Sequence, residues 1–281
     1  MTTIHQKTTA VIIGGGGGVG RGIALGLAGQ GARVVIADID LDTAAAVADE
    51  LTASGHDAVA CVVDATELVS LAALADMAEA RYGSIDILVN TVGVVHSGEI
   101  LDAPDSDWAW VLEFNVMTVV RACAVFVPRI RAHGRGGHVV NTASMAGLWA
   151  SKPEEVAGTH LGLYTTSKFA VVGFTEALRG ELASDGIGVS CLCPGTVDSN
   201  LMQTSLRHRP ERFGGAVEVD ATLGKIPYAM AQEEVGRVVV AGIEHDRALI
   251  LTHPQARHFV DRRAASHADD FDFFTAVGEL A

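Results

Sequence analysis

Tyr164 and Lys168 stand four residues apart in "LYTTSK", a spacing that puts both side chains on one face of a helix. A phenol with its ordinary pKa near ~10 is a weak base at neutral pH. A neighbouring ammonium favours the phenolate and brings that pKa down. The pair then becomes a proton acceptor for a hydroxyl, or a proton donor to a carbonyl in the reverse direction. Alone, the same two residues fit a solvated helix face equally well. Their meaning depends on what else the fold brings near them.

A second feature with chemical content lies at the other end of the chain. "VIIGGGGGVGRGIA" (Val11 to Ala24) sets five consecutive glycines, Gly14 to Gly18, after an apolar strand-like run and before an amphipathic helix. Glycine runs weaken regular structure through backbone entropy, so they persist where a ligand must approach the backbone closely. Between a strand and a helix, such a turn offers the N–H groups of a helix N-terminus to a pyrophosphate. The next strand ends in Asp38, eighteen residues beyond Gly20, where an acid can hold the ribose hydroxyls of a dinucleotide.

The elements that must position these groups read as alternating strands and helices. Strands are expected at Thr9 to Ile13, Ala32 to Asp38, Asp57 to Asp64, Ile85 to Asn90, Gly137 to Ala143, Ile187 to Cys193 and Ala248 to Thr252. Helices are expected between them, including Val19 to Ala28, Leu41 to Ala53, one long helix from about Asp105 to Arg131, and Gly162 to Ala183. The strands are nearly continuous apolar runs, as in sheets covered on both faces. The expectation is an α/β, doubly wound, seven-stranded parallel sheet in a single domain. Residues 1–254 would form it, with substrate loops at 149–162 and 199–231, both after carboxyl ends of strands, where open sheets bind ligands. Residues 255–281 read as a C-terminal extension of the same domain.

Composition narrows the function. The chain has 281 residues, 49% of them hydrophobic, and a formal charge of −14. An acidic surface repels phosphate backbones, which argues against nucleic acid as a partner. The absence of an apolar run near the roughly 20 residues of a membrane helix, and of a signal-like N-terminus, points to a soluble cytoplasmic protein. Cys61, Cys123, Cys191 and Cys193 form no metal-binding spacing, the eleven histidines are scattered, and no metal is assigned.

Gly14, Gly18 and Gly20 make a GxxxGxG arrangement that resembles the short-chain dehydrogenase/reductase family. Ile13 stands where that family's TGxxxGxG pattern carries threonine. The resemblance runs from about Thr9 to Thr252. It includes "NTVG" (Asn90 to Gly93) for the family's NNAG, Asn115 in "FNV", Ser144 in "NTASMAG", the Tyr164/Lys168 YxxxK pair, and "PGTVDS" (Pro194 to Ser199). It implies a Rossmann-type fold and hydride transfer with a nicotinamide cofactor. It also implies roles. Tyr164 is the acid/base, Ser144 orients the substrate oxygen, Lys168 assists Tyr164 and binds ribose, and Asn115 supports a proton relay. The cofactor would be held by Gly14, Gly16, Gly17, Gly18, Val19, Gly20, Asp38, Ile39, Asp64, Ala65, Asn90, Val92, Gly93, Tyr164, Lys168, Pro194, Gly195, Val197 and Ser199. Asp38 disfavours a 2′-phosphate, so NAD is expected over NADP.

The gap from Ser144 to Tyr164 is twenty residues, longer than the family commonly has, and the extra loop would shape the substrate site. Substrate contacts are expected from Ser144, Met145, Trp149, Tyr164, Leu201 and Met202, an apolar set suited to a small hydrophobic secondary alcohol or its ketone. Arg207 and Arg209 are read either as a carboxylate site or as a solvated basic stretch. Family resemblance further implies a homo-oligomer, tetramer or dimer, through Asp107 to Arg131 and Gly162 to Ala183. The competing reading is a catalytically silent NAD-binding sensor or scaffold.

Overall fold

The computed structural model describes residues 2–155, 158–218 and 229–279. Seven strands form one parallel sheet: β1 (Thr9–Ile13), β2 (Arg33–Asp38), β3 (Ala58–Val62), β4 (Ile87–Asn90), β5 (Gly137–Thr142), β6 (Ile187–Cys193) and β7 (Leu249–Leu251). Their spatial order is β3-β2-β1-β4-β5-β6-β7, so the winding reverses between β1 and β4. At this point the register pairs Ile13 with Asn90, and the loops leaving the two strands diverge to opposite faces.

Alternate strand residues feed two separate cores. Ala10, Ile12, Val34, Ile36, Val89, Val140 and Leu192 pack under α1 (Gly18–Gly29), α2 (Leu41–Ala53) and α8 (Gln232–Glu244). Val11, Ile13, Val35, Leu88, Val139 and Val189 pack under α3 (Leu68–Tyr82), α5 (Thr118–Ala132) and α6 (Gly162–Leu182). Both faces being dry is what allows β1 to be buried at all five positions. The doubly wound parallel sheet expected from the strand–helix alternation is therefore present. α1 and α8 meet at backbone contact: a Cβ on Gly22 would strike the carbonyl of Gln232, and one on Gly26 would lie 2.8 Å from Gly236.

The long helix differs from its expected form. It begins as α4 (Asp105–Leu112), widens into a π-turn over Glu113–Met117, and continues as α5. By length and composition alone, Asp105–Ala132 is apolar enough to cross a membrane, which the sequence reading did not anticipate. Half of its most apolar window is buried in the protein, with Ala122, Phe126 and Ile130 set against the sheet. The remaining helices are α7 (Leu201–Arg207) after β6 and α9 (Arg257–Glu279) after β7.

Candidate active site

Tyr164 lies in the first turn of α6, and Lys168 follows one turn later, both buried. The Lys168 ammonium is 5.6 Å from the centre of the Tyr164 ring and donates to the Thr142 carbonyl at 3.1 Å. Ser144 caps the short 3-10 turn Met145–Gly147, where its hydroxyl accepts from the Ala146 amide at 3.1 Å. The same hydroxyl hydrogen-bonds Tyr164 and draws its pKa down, but burial is the larger effect and leaves the phenol raised. Burial acts on Lys168 in the opposite sense, bringing its ammonium down to about 8. Both shifts have one cause, since a dry site disfavours phenolate and ammonium alike. The expected lowering of Tyr164 by Lys168 is not what this geometry produces; the phenol's lowering partner is Ser144.

Asn115 sits inside the π-turn, fully buried. Its Oδ1 accepts from the Val94 amide at 2.7 Å, and its Nδ2 donates to the Val94 carbonyl and the Ser167 hydroxyl, each at 2.9 Å. One side chain thus ties the segment after β4 to the helix carrying Tyr164. A Cβ on Gly93 would lie 3.0 Å from Asn115 Oδ1 and 3.3 Å from Lys168 Nζ, so this segment passes directly over the lysine.

The glycine turn lies across the switch point. Gly14 has φ +85°, and a Cβ there would lie 2.6 Å from the Thr91 hydroxyl. A Cβ on Gly20 would strike the Gly14 carbonyl, so only glycine lets the turn fold back on α1. Gly16 donates its amide to Asp38 Oδ2 at 2.9 Å, which holds the carboxylate at the mouth of the turn. Gly17 is the N-cap of α1, is extended, has open space around it and offers no side-chain cap. Gly18 approaches Ser199, bringing the "PGTVDS" segment against the turn from the far side of the switch point. Val19 is half-buried beneath, and Ile39, 56% exposed, stands beside Asp38. An uncapped helix N-terminus, a backbone open to close approach and an acid at the next strand end fit a dinucleotide.

The other expected cofactor residues have different local contacts. Asp64 spends one oxygen on Thr66, accepting from its amide and hydroxyl at 2.9 and 2.7 Å, and Ala65 beside it is buried. Asn90 donates to Asn141 at 2.8 Å and braces the sheet from inside. Val92 packs on the α3–α5 core. The Pro194 carbonyl accepts from the Met145 amide at 2.9 Å, and Gly195 donates to the Thr252 hydroxyl at 3.0 Å. Val197 bridges Met230.

The substrate side departs more from expectation. Met145 is buried among Val171, Val172, Cys191 and Cys193, so its side chain belongs to the core and not to an open wall. Trp149 is stacked on Phe259 of α9, with ring centres 4.8 Å apart and planes 6° from parallel. Leu201 is exposed on α7, with Met202 half-buried beside it. Arg209 is neither a free carboxylate receptor nor solvated: it pairs with Asp107 of α4 and covers the Trp110 ring at 4.6 Å. Asp107 also meets His96 Nε2 at 2.9 Å. Parts of both loops, residues 156–157 and 219–228, lie outside the described residues.

Sequence reasoning missed Thr91. Its hydroxyl reaches the carbonyls of Ile13 and Gly14 at 2.8 and 2.9 Å, bracing the glycine turn from β4. The signal was present as the departure from NNAG at the second residue, set against the missing threonine at position 13.

Comparison with known proteins gives a consistent result. Residues 8–210 match the family model for short chain dehydrogenase. "Probable oxidoreductase EphD" of Mycobacterium tuberculosis is 34% identical over 254 residues; the match takes in 89% of this chain but spans only 41% of that relative's length. "1-deoxy-11-beta-hydroxypentalenate dehydrogenase" of Streptomyces avermitilis is 37% identical over 230 residues, covering 81% of this chain and 83% of the relative. A solved short chain dehydrogenase/reductase from Burkholderia phymatum, in complex with NAD, superposes with TM-score 0.86 at 30% identity, covering 96% of this chain and 97% of that one.

Proposed function

The chain belongs to the short-chain dehydrogenase/reductase family, and from that premise we propose that it is an NAD-dependent oxidoreductase interconverting a hydrophobic secondary alcohol and its ketone. The observation that carries this reading is the convergence of Tyr164, Ser144 and Lys168 on one buried point beside the glycine turn. Bound NAD supplies the hydride acceptor. The protein's own part is proton transfer and placement. Ser144 hydrogen-bonds the substrate oxygen and the Tyr164 hydroxyl together, which sets the oxygen at the phenol. Tyr164 as the phenolate takes the hydroxyl proton in oxidation, and as the phenol gives it to the carbonyl oxygen in reduction. Lys168, with its pKa brought to about 8, is the neighbouring group able to exchange a proton near neutral pH. Asn115 ties Val94 to Ser167 of α6, which keeps the neighbouring Gly93 in place over Lys168.

Preference for NAD rests on charge. Asp38 lies at the mouth of the glycine turn, where its charge would repel a 2′-phosphate. The two nearby cations are engaged elsewhere: Arg21 with Glu50 and Glu233, and Arg33 with the Lys7 carbonyl and Thr9. The NAD complex of the Burkholderia relative supports the same choice. For the substrate, the apolar faces of Leu148, Leu201, Met202 and Leu206 favour a hydrophobic body, and the hydroxypentalenate in the Streptomyces relative's name is in keeping with a hydroxyl-bearing organic molecule.

The test is Tyr164→Phe, assayed by NADH formation with a panel of secondary alcohols. Loss of the acid/base group lowers turnover by about 10²–10⁴-fold while NAD binding survives. Turnover near the unaltered rate would remove Tyr164 from the mechanism. NAD binding with no turnover on any alcohol in the unaltered protein would favour the silent sensor.

A further inference from the structure

α9 runs for 23 residues, about 34 Å. Among the described residues only its root is anchored: Phe259 stacks on Trp149, Arg262 pairs with Glu155, and the Arg263 guanidinium lies 4.9 Å over the Phe169 ring. From Ala264 to Gly278 every residue is exposed. Phe271, Phe273 and Phe274 are 76%, 62% and 68% exposed. A segment of this length draws little stability from its own hydrogen bonds in water, because protein helices depend on packing of an apolar face.

The sequence of α9 describes what that face fits. Val260, Ala264, His267, Phe271, Phe274 and Gly278 recur at alternating intervals of four and three, the repeat that forms a seam between two helices. Charge is divided along the same helix. Residues 257–267 carry Arg257, Arg262 and Arg263 against Asp261 alone, whereas residues 268–279 carry Asp269, Asp270, Asp272 and Glu279 with no cation. A parallel copy would set like charges side by side. An antiparallel copy sets the basic half of each helix along the acidic half of the other.

We propose that α9 is a self-complementary docking surface that pairs antiparallel with α9 of a second copy of this chain across a two-fold axis. In the register that brings the seams together, the axis passes between Ala265 and Ser266. Phe271 then covers the partner's Val260, Phe274 meets the partner's Arg257, and Ala264 faces the partner's His267. The flanking positions place Arg263 opposite the partner's Asp270, and by symmetry Asp270 opposite the partner's Arg263. Phe273 stands off the seam, edge-on to Phe274 at 5.2 Å.

The experiment is light scattering on the full chain, with helix content followed by circular dichroism. Phe271→Glu with Phe274→Glu halves the assembly mass relative to the unaltered protein. Arg263→Asp alone and Asp270→Arg alone each do the same, because each puts two like-charged pairs at the axis. Combining the two restores the original mass. Arg263→Asp forfeits its contact with Phe169 in the single and the double variant alike, so restoration isolates the contact between copies. An unchanged mass in the double glutamate variant, a monomeric unaltered protein, or a charge-reversed pair that fails to restore the mass would each overturn the proposal.

Discussion

The two halves of the cleft are held by different means. On the cofactor side the tightest constraint is backbone against backbone: Gly20 on the Gly14 carbonyl and Gly22 on the Gln232 carbonyl. On the substrate side, side chains hold side chains: Arg209 with Asp107, Arg262 with Glu155, Trp149 with Phe259. A contact made by backbone leaves no room for change, because any Cβ fills it. A contact made by side chains is replaced one residue at a time. The same scaffold therefore keeps one cofactor geometry while its substrate wall is free to vary.

Breaking the cofactor side has the largest effect. Gly20→Val drives a side chain into the Gly14 carbonyl, and overpacking against fixed backbone costs about 3 kcal/mol. A fall of that size in urea-unfolding stability, together with loss of NAD binding, is the expected outcome; an unchanged midpoint would show that the turn yields.

The next effect is a pH dependence between the two pKa values of Lys168. Its folded value, about 8, lies below the ordinary 10.5. Between these the unfolded chain binds the extra proton, so this group makes stability rise with pH across the window. The gain is at most about 3 kcal/mol. Lys168→Met removes this rise. Unfolding curves of the two proteins, measured without cofactor from pH 7 to beyond 10, should converge as pH increases, and parallel curves would contradict the buried-ammonium assignment.

A smaller and more selective change belongs to the substrate side. Asp107→Ala frees Arg209 from α4 and loosens the segment after α7. KM for the alcohol should rise about tenfold, worth about 1.4 kcal/mol, while NAD affinity stays within twofold. Equal loss of both affinities would erase the distinction between the halves. Smallest of all is Arg21→Gln, which breaks partly exposed pairs with Glu50 and Glu233 that link α1, α2 and α8. Stability should fall by less than about 1 kcal/mol, and by less still in high salt.

What the sequence made legible follows the same division. Strand periodicity and glycine spacing are local, so the sheet and the glycine turn could be read directly. The π-turn at Asn115 could not, because widening a helix by one residue has no side-chain signature; the cause is a set of hydrogen bonds to Val94 and Ser167, distant in sequence. The burial of Arg209 was illegible for the same reason, its partner Asp107 being 102 residues away. The packing of Met145 was illegible likewise, because its neighbours Cys191 and Cys193 lie on β6, far along the chain.

The Thr91 brace carries a lesson about recognition. The hydroxyl that closes on the turn comes from Thr91, just after the neighbouring strand, while an isoleucine occupies the position where the family pattern has threonine. A turn can thus be braced by a hydroxyl from outside its own glycine signature. Reading the turn's own letters alone leaves out the residue at position 91 that holds it closed.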